Sequence, residues 1–100
     1  MRIFDDLINT GAIEFLSSQP VRKAFLFGSY SRQDENSDSD IDILVDLEKS
    51  VDLFQFISIK LNLEKLLNKK VDLISSNGLS PRIQPYIDNE KILIYEKQNQ

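Results

Sequence analysis

The chain has no cysteine and no histidine among its 100 residues. Without cysteine it can form neither a disulfide framework nor a thiolate zinc site, and without histidine it has no imidazole to serve as a base or a metal ligand. Any acid–base or metal chemistry must therefore use carboxylates. The N-terminus has no apolar signal core, and no run approaches the roughly 20 apolar residues of a membrane span. We therefore expect a soluble, cytoplasmic protein that makes no contact with a membrane.

The chain is also short and acidic. One hundred residues fit a single domain, residues 1–100, which buries one modest core and has no spare domain to grip a second large substrate. Sixteen acidic and twelve basic residues give a net charge of −4. This balance argues against a passive nucleic-acid binder, which normally presents a basic face. It is compatible with a nucleotide site, because metal ions can supply the positive charge there.

The hydrophobic pattern predicts an α/β fold, in which helices flank a small mixed β-sheet. Apolar residues at helical spacing from residue 3 to 16 predict a helix, which Gly11 either breaks or leaves continuous. The region that follows alternates between strands and helices. Strands are predicted at residues 21–27, 41–47, 71–75 and 91–95.

Three further helices are predicted between and after these strands. A short one covers residues 29–33, and a long one follows Asp52, a suitable N-cap. The last has Ser80 as its N-cap and Pro81 as its first residue. The apolar face of the long helix is mainly core, but it is longer than so small a sheet needs, so we expect part of it to meet a partner. That face consists of Leu53, Phe54, Phe56, Ile57, Leu61, Leu63, Leu66 and Leu67.

Three aspartates are predicted to converge on one side of the sheet. The strand–helix–strand unit of residues 41–75 should be a right-handed crossover that makes its two strands parallel neighbours. Residues two apart in a strand share a face, so Asp40 and Asp42 point to the same side. Asp72, flanked by two apolar core residues, points to that side as well.

Such a cluster of carboxylates has a chemical consequence. Two carboxylates about 4 Å apart repel each other by roughly 4 kcal/mol at an effective dielectric constant of about 20. The cluster therefore needs either a neutralising cation or a raised pKa. Hard carboxylate oxygens suit Mg²⁺ or Mn²⁺. Two such ions would hold a nucleoside triphosphate, activate an attacking hydroxyl and stabilise the leaving pyrophosphate.

A Gly-Ser turn at the end of the first strand predicts a site for the phosphates. Gly28 allows a tight turn and a close approach of the backbone to phosphate oxygens. Ser29 adds a hydroxyl and is suited to cap the short helix, whose first N–H groups favour anions. Arg32, one turn further on, reaches either the phosphates or a surface ion pair.

Other interpretations of these motifs fit less well. A P-loop requires a lysine after the glycine, and an EF-hand loop begun at either nearby aspartate lacks its glycine and its glutamate. A serine hydrolase built on Ser29 would lack a histidine base. Asp40 and Asp42 alone could be ordinary surface acids. Their spacing from Ser29 and the presence of Asp72 favour a functional role.

Together these motifs resemble the G-S-x10-D-x-D signature of the DNA polymerase β-like nucleotidyltransferases. The likeness is closer to the minimal nucleotidyltransferase domains of prokaryotes, and it extends from about residue 21 to 95. Gln33 stands where members often have glycine, which leaves the shape of the following loop open. Three segments carry the resemblance in the expected order, at residues 27–32 (Phe-Gly-Ser-Tyr-Ser-Arg), 39–45 (Ser-Asp-Ile-Asp-Ile-Leu-Val) and 69–74 (Lys-Lys-Val-Asp-Leu-Ile).

The resemblance implies specific roles for five residues. Asp40 and Asp42 bind the metal ions, Asp72 is the third carboxylate and helps to activate the acceptor hydroxyl, and Gly28 and Ser29 hold the triphosphate. It further implies an antitoxin that transfers AMP from ATP to a tyrosine of a paired HEPN-domain ribonuclease toxin and silences it. A hetero-oligomer with that toxin and no direct contact with nucleic acid are then expected.

Two other functions remain compatible with the sequence. The chain could be an antitoxin that blocks its partner by contact alone, although the intact set of three carboxylates argues against a vestigial site. It could also act on a small molecule, as aminoglycoside-modifying nucleotidyltransferases do. Those enzymes carry a further acceptor-binding domain, for which 100 residues leave no room.

Overall fold

Four strands form a single mixed sheet in the computed structural model, which describes residues 3–32, 35–36 and 38–98. The strands are β1 (Val21–Phe27), β2 (Ile41–Leu47), β3 (Val71–Ser75) and β4 (Ile92–Glu96). Their order in the sheet is β3–β2–β1–β4. β2 and β3 are parallel, as predicted, whereas β1 runs antiparallel to β2 and to β4. The expected fold class is confirmed.

The helix predicted over residues 3–16 is two helices, α1 (Ile3–Asn9) and α2 (Ala12–Ser17). They meet at Gly11, whose φ of +85° lies in the left-handed region that glycine adopts without steric penalty. The Phe15 N–H donates to the Gly11 carbonyl and starts the second helix. Gly11 therefore breaks the helix, which is one of the two outcomes that the sequence left open.

The long helix α4 (Leu53–Leu67) connects β2 to β3. It begins where predicted, because Asp52 Oδ1 accepts a hydrogen bond of 2.7 Å from the Gln55 N–H. The prediction of which α4 residues form its buried apolar face was wrong in part. Ile59, which that face omitted, is buried with Leu63, whereas several of the predicted core residues point to solvent. The exposed ones are Leu53, Phe54, Ile57 and Leu61, and their contact with a partner stays a prediction.

The last helix begins later than predicted. Residues 81–83 form a turn, and α5 covers Gln84–Glu90 with Pro85 in its first turn. The Ser80 carbonyl accepts hydrogen bonds from the N–H groups of Ile83 and Gln84, so Ser80 closes the preceding turn. Either proline is compatible with a helix start, since its fixed φ suits the first turn. The second proline, Pro85, is the one that occupies it.

The two faces of the sheet are covered differently. One face packs against α1, α2 and α4 and forms the main core, in which Leu26, Ile43 and Val45 are fully buried. On the other face Leu44 is buried, as is Ile87 of α5, and both lie outside the main core cluster. This second face has a thin apolar cover and opens into a cleft. None of the helices in the described part of the chain is long and apolar enough to cross a bilayer.

Candidate active site

Asp42 and Asp72 lie side by side on neighbouring strands. The parallel register of β2 and β3 pairs Asp42 directly with Asp72, so both side chains leave the sheet on the same face. Asp40 lies two residues before Asp42, just ahead of β2, and is exposed, as is Asp72. The structure therefore places the three predicted carboxylates at one edge of the open face, although their chemical roles stay predictions.

Asp42 is the electrostatic centre of this group. Burial, followed by the negative charges of Asp72 and Asp40, raises the pKa of Asp42 from 3.8 to about 6. Arg32 acts in the opposite direction, and Glu90 adds a further small upward shift to the pKa. The repulsion expected from the sequence is thus present at Asp42. A cation placed at this carboxylate would relieve it.

Gly28 is required by its contact with Asp42 as well as by its backbone conformation. Its φ is +74°, a left-handed value that disfavours any residue with a side chain. A Cβ built on Gly28 would overlap the Asp42 Oδ2 atom and lie 3.0 Å from Cγ. The register explains this closeness, since Phe27 at the end of β1 pairs with Asp42. The turn therefore presses against the carboxylate that is central to the site.

Ser29 and Arg32 are the first and last residues of the short helix α3 (Ser29–Arg32). The Arg32 N–H and the Ser31 hydroxyl both donate to the Gly28 carbonyl, at 3.2 and 2.8 Å, which ties the helix to the turn. Gln33, where the family often has glycine, lies outside the described residues.

Arg32 forms an ion pair with Glu90, a contact that no pattern in the sequence indicates. The Arg32 Nη1 atom lies 3.1 and 3.0 Å from the two carboxylate oxygens of Glu90 at the end of α5. The sequence left open whether Arg32 meets phosphate or an ion-pair partner, and the structure shows the ion pair. The two residues are 58 positions apart, so no local pattern could have revealed this contact.

Four of the predicted site residues line a cleft of about 620 Å³: Gly28, Ser29, Arg32 and Asp42. This volume lies within the range of pockets that hold whole small-molecule ligands. The facing wall comes from β3, α5 and the segment between them, and it is largely apolar. Its side chains include Ile74, Leu79, Ile83, Tyr86 and Ile87.

The donor set at this edge fits Mg²⁺, even though no three acidic side chains among the described residues form a ready-made metal cage. Mg²⁺ at nucleotide sites is usually held by one or two carboxylates together with substrate phosphates and water. Asp42 and Asp72 supply such carboxylates in register, and a cation would offset the repulsion that raises the pKa of Asp42. The site therefore suits an ion that is shared with a nucleotide.

Comparison with known proteins agrees with this geometry. The family model described as polymerase β nucleotidyltransferase matches residues 11–100. Protein adenylyltransferase MntA of Thermococcus cleftensis is 39% identical over 74 residues, which are 74% of this chain and 75% of that protein. The resemblance inferred from the three sequence motifs is confirmed.

Solved structures share the fold. A toxin–antitoxin complex with AMP-PNP superposes with a TM-score of 0.76 at 23% identity, covering 95% of this chain and 74% of that one. A complex of a tri-AMPylated Shewanella oneidensis HEPN toxin with its MNT antitoxin gives a TM-score of 0.68 at 23% identity, covering 93% and 74%. With the family model matching all but the first ten residues, the chain belongs to the polymerase β-type nucleotidyltransferase family.

Proposed function

We propose that the chain is a protein adenylyltransferase that transfers AMP from ATP to a tyrosine hydroxyl of a HEPN-domain toxin and so acts as its antitoxin. The observation that carries the proposal is the pairing of Asp42 with Asp72 beside the Gly28 turn, next to a cleft of about 620 Å³ that Asp42 and Gly28 line. Similarity to two known proteins supports AMP transfer as the reaction and a HEPN toxin as the acceptor. One relative is named a protein adenylyltransferase, and one structural neighbour is an MNT antitoxin bound to a tri-AMPylated HEPN toxin.

In this proposal the three carboxylates have two different roles, metal binding and proton transfer. Asp40 and Asp42 would hold divalent ions, which supply charge neutralisation of the triphosphate and a lowered pKa of the attacking hydroxyl when bound. The hydroxyl oxygen forms a bond to the α-phosphorus, the α–β phosphoanhydride bond breaks, and pyrophosphate leaves. Asp72 takes up the hydroxyl proton. Its exposure suits this role, because a protein acceptor must approach from solvent.

The turn and the short helix would hold the triphosphate. Gly28 leaves room for the backbone to approach phosphate oxygens, and Ser29 offers its hydroxyl from the same wall of the cleft. Arg32 lines that wall while it pairs with Glu90. A triphosphate entering the cleft would compete with Glu90 for the guanidinium, since both present oxygen anions.

The proposal is tested by transfer of label. The purified chain is mixed with its cognate toxin, Mg²⁺ and ATP labelled at either the α- or the γ-phosphorus. We expect label on the toxin from α-labelled ATP and none from γ-labelled ATP. Asp42→Asn should lower the rate by about 100-fold or more, because the ion loses a charged ligand at the reacting centre.

Asp6→Asn is the matched control for this loss. Asp6 is an exposed aspartate of α1, outside the cleft, so its substitution should leave the transfer rate unchanged. Absence of label with the wild-type chain, or equal labelling by Asp42→Asn, would contradict the proposal. In cells, full protection by a chain carrying both Asp40→Asn and Asp42→Asn would indicate that contact alone blocks the toxin.

A further inference from the structure

The cleft has two chemically different walls, and the proposed phosphate and metal contacts use one of them. That wall contains Gly28, Ser29, Arg32 and Asp42. The facing wall is largely apolar, and the proposed phosphate and metal contacts do not use it. A nucleotide has the same division, since a charged triphosphate is joined through a sugar to a planar aromatic base.

The apolar wall is organised by helical spacing on α5. Three residues of α5, Tyr86, Ile87 and Glu90, are spaced by one and three positions and so share one side of the helix. Ile83 directly precedes α5 as its N-cap, three positions before Tyr86. All four line the cleft. Ile87 is buried, and Glu90 at the end of the helix pairs with Arg32. The ion pair thus connects α5 to α3.

Two large side chains of this wall are nevertheless open to solvent. Tyr86 is 73% exposed and Ile83 is 51% exposed, although both line the cleft together with the buried Ile87. An exposed aromatic ring next to an apolar neighbour offers a face on which another ring can stack. Their position in the same cleft as Gly28 and Ser29 makes the surface continuous with the proposed phosphate site.

We infer that the apolar wall of α5 binds the base of the nucleotide, with Tyr86 stacking on the base and Ile83 packing beside it. This inference rests on the proposed function, because it assumes that a nucleoside triphosphate occupies the cleft. Stacking accepts any base, and it favours the larger purine ring through contact area. Tyr86 is therefore a binding residue for the base and takes no part in the bond-making step.

The test compares a ligand that has a base with one that lacks it. Binding of AMP-PNP and of inorganic tripolyphosphate, each with Mg²⁺, is measured by calorimetry for the wild type, Tyr86→Ala and Tyr86→Phe. We expect Tyr86→Ala to weaken AMP-PNP binding by roughly 5- to 140-fold, the range of a lost base–aromatic stack, and to leave tripolyphosphate binding unchanged. Tyr86→Phe should restore AMP-PNP binding to within about twofold, because the ring remains.

Ile8→Ala is the matched control, since Ile8 is 68% exposed on α1 and lies outside the cleft. It should leave the affinity for both ligands unchanged. Equal weakening of both ligands by Tyr86→Ala would show a structural role and overturn the inference, as would unchanged AMP-PNP binding in a variant with an intact circular dichroism spectrum. Loss of toxin binding alone would assign the wall to the acceptor and overturn it too.

The two proposals fail in different ways. If the wild-type chain binds AMP-PNP through Tyr86 but transfers no label to the toxin, the base site stands and the transferase function does not. If label is transferred and Tyr86→Ala has an unchanged KM for ATP, the transferase function stands and the base site is wrong.

Discussion

The two faces of the sheet use the same strands for opposite purposes. On β2, Ile41, Ile43 and Val45 point into the main core and are almost completely buried. The residue between the first two, Asp42, points to the open face and has its pKa raised to about 6 by burial and like charge. On the core face, moving aliphatic side chains out of water stabilises the folded chain. On the open face, Asp42 is an anion in surroundings that destabilise its charged form.

This difference explains how so small a sheet can carry a reactive cluster. Burial of aliphatic side chains on the core face stabilises the strands. The register of β2 with β3 is then fixed by that face, because a slip of one residue would turn the core side chains outward. Fixing the register also fixes Asp42 beside Asp72. The carboxylates are therefore held together by the packing behind them.

The largest effect on stability should come from the core face. Ile43→Ala removes a fully buried side chain and should lower the free energy of unfolding by about 2–5 kcal/mol, as measured by urea denaturation. Ile43→Val, which removes a single methylene group, should lower it by about 0.5–1.5 kcal/mol. A loss below about 1 kcal/mol for Ile43→Ala would show that this face does not hold the sheet together.

Gly28 and Gly11 both have a left-handed backbone, but only Gly28 lies against Asp42. Comparing alanine variants of the two separates the cost of backbone strain from the effect of the contact with Asp42. Gly28→Ala should lower stability by about 1–3 kcal/mol and slow AMP transfer by roughly tenfold or more, because the new Cβ overlaps Asp42 Oδ2. Gly11→Ala places a Cβ at a φ of +85° in open space, so it should lower stability by about 1 kcal/mol without slowing transfer. Equal rates for the two variants would mean that the contact with Asp42 does not matter.

The smallest change in stability is expected for Asp42→Asn, and unlike the previous substitutions it should stabilise the folded chain. Between pH 3.8 and about 6 the folded chain binds more protons at Asp42 than the unfolded chain does, so stability falls as the pH rises through this window. Asp42→Asn should therefore raise the free energy of unfolding at pH 8, by on the order of 1 kcal/mol after screening by solvent. The gain should disappear below about pH 4. A variant less stable than the wild type at pH 8 would contradict the repulsion at this site.

The sequence predicted most of the fold because its signals are local. Period-two alternation marked residues 41–47, and Asp52 with the Gln55 N–H began α4 where the capping rule places it. The helix start at Gln84 was missed, because Pro81 and Pro85 both suit a first turn and the local sequence does not decide between them. The sequence also did not predict which apolar side of α4 is buried, because apolar residues lie on more than one side of this helix and the position of the sheet decides which of them it covers.

The site was predictable where strand register determines it and unpredictable where helix packing does. Asp42 beside Asp72 followed from two strands and a crossover. The ion pair between Arg32 and Glu90 and the position of Tyr86 in the cleft depend on how α5 lies on the open face. A seven-residue helix leaves too weak a pattern to orient it from sequence alone.

The most direct measurement is an NMR titration of the Asp42 carboxyl carbon, in the free chain and with Mg²⁺ and AMP-PNP. We expect a pKa of about 6 in the free chain, raised by burial and by Asp72 and Asp40, and a large fall on addition of metal and nucleotide, because a bound cation favours the anion. A free-chain pKa near 3.8 that metal and nucleotide leave unchanged would contradict a carboxylate cluster built to receive them.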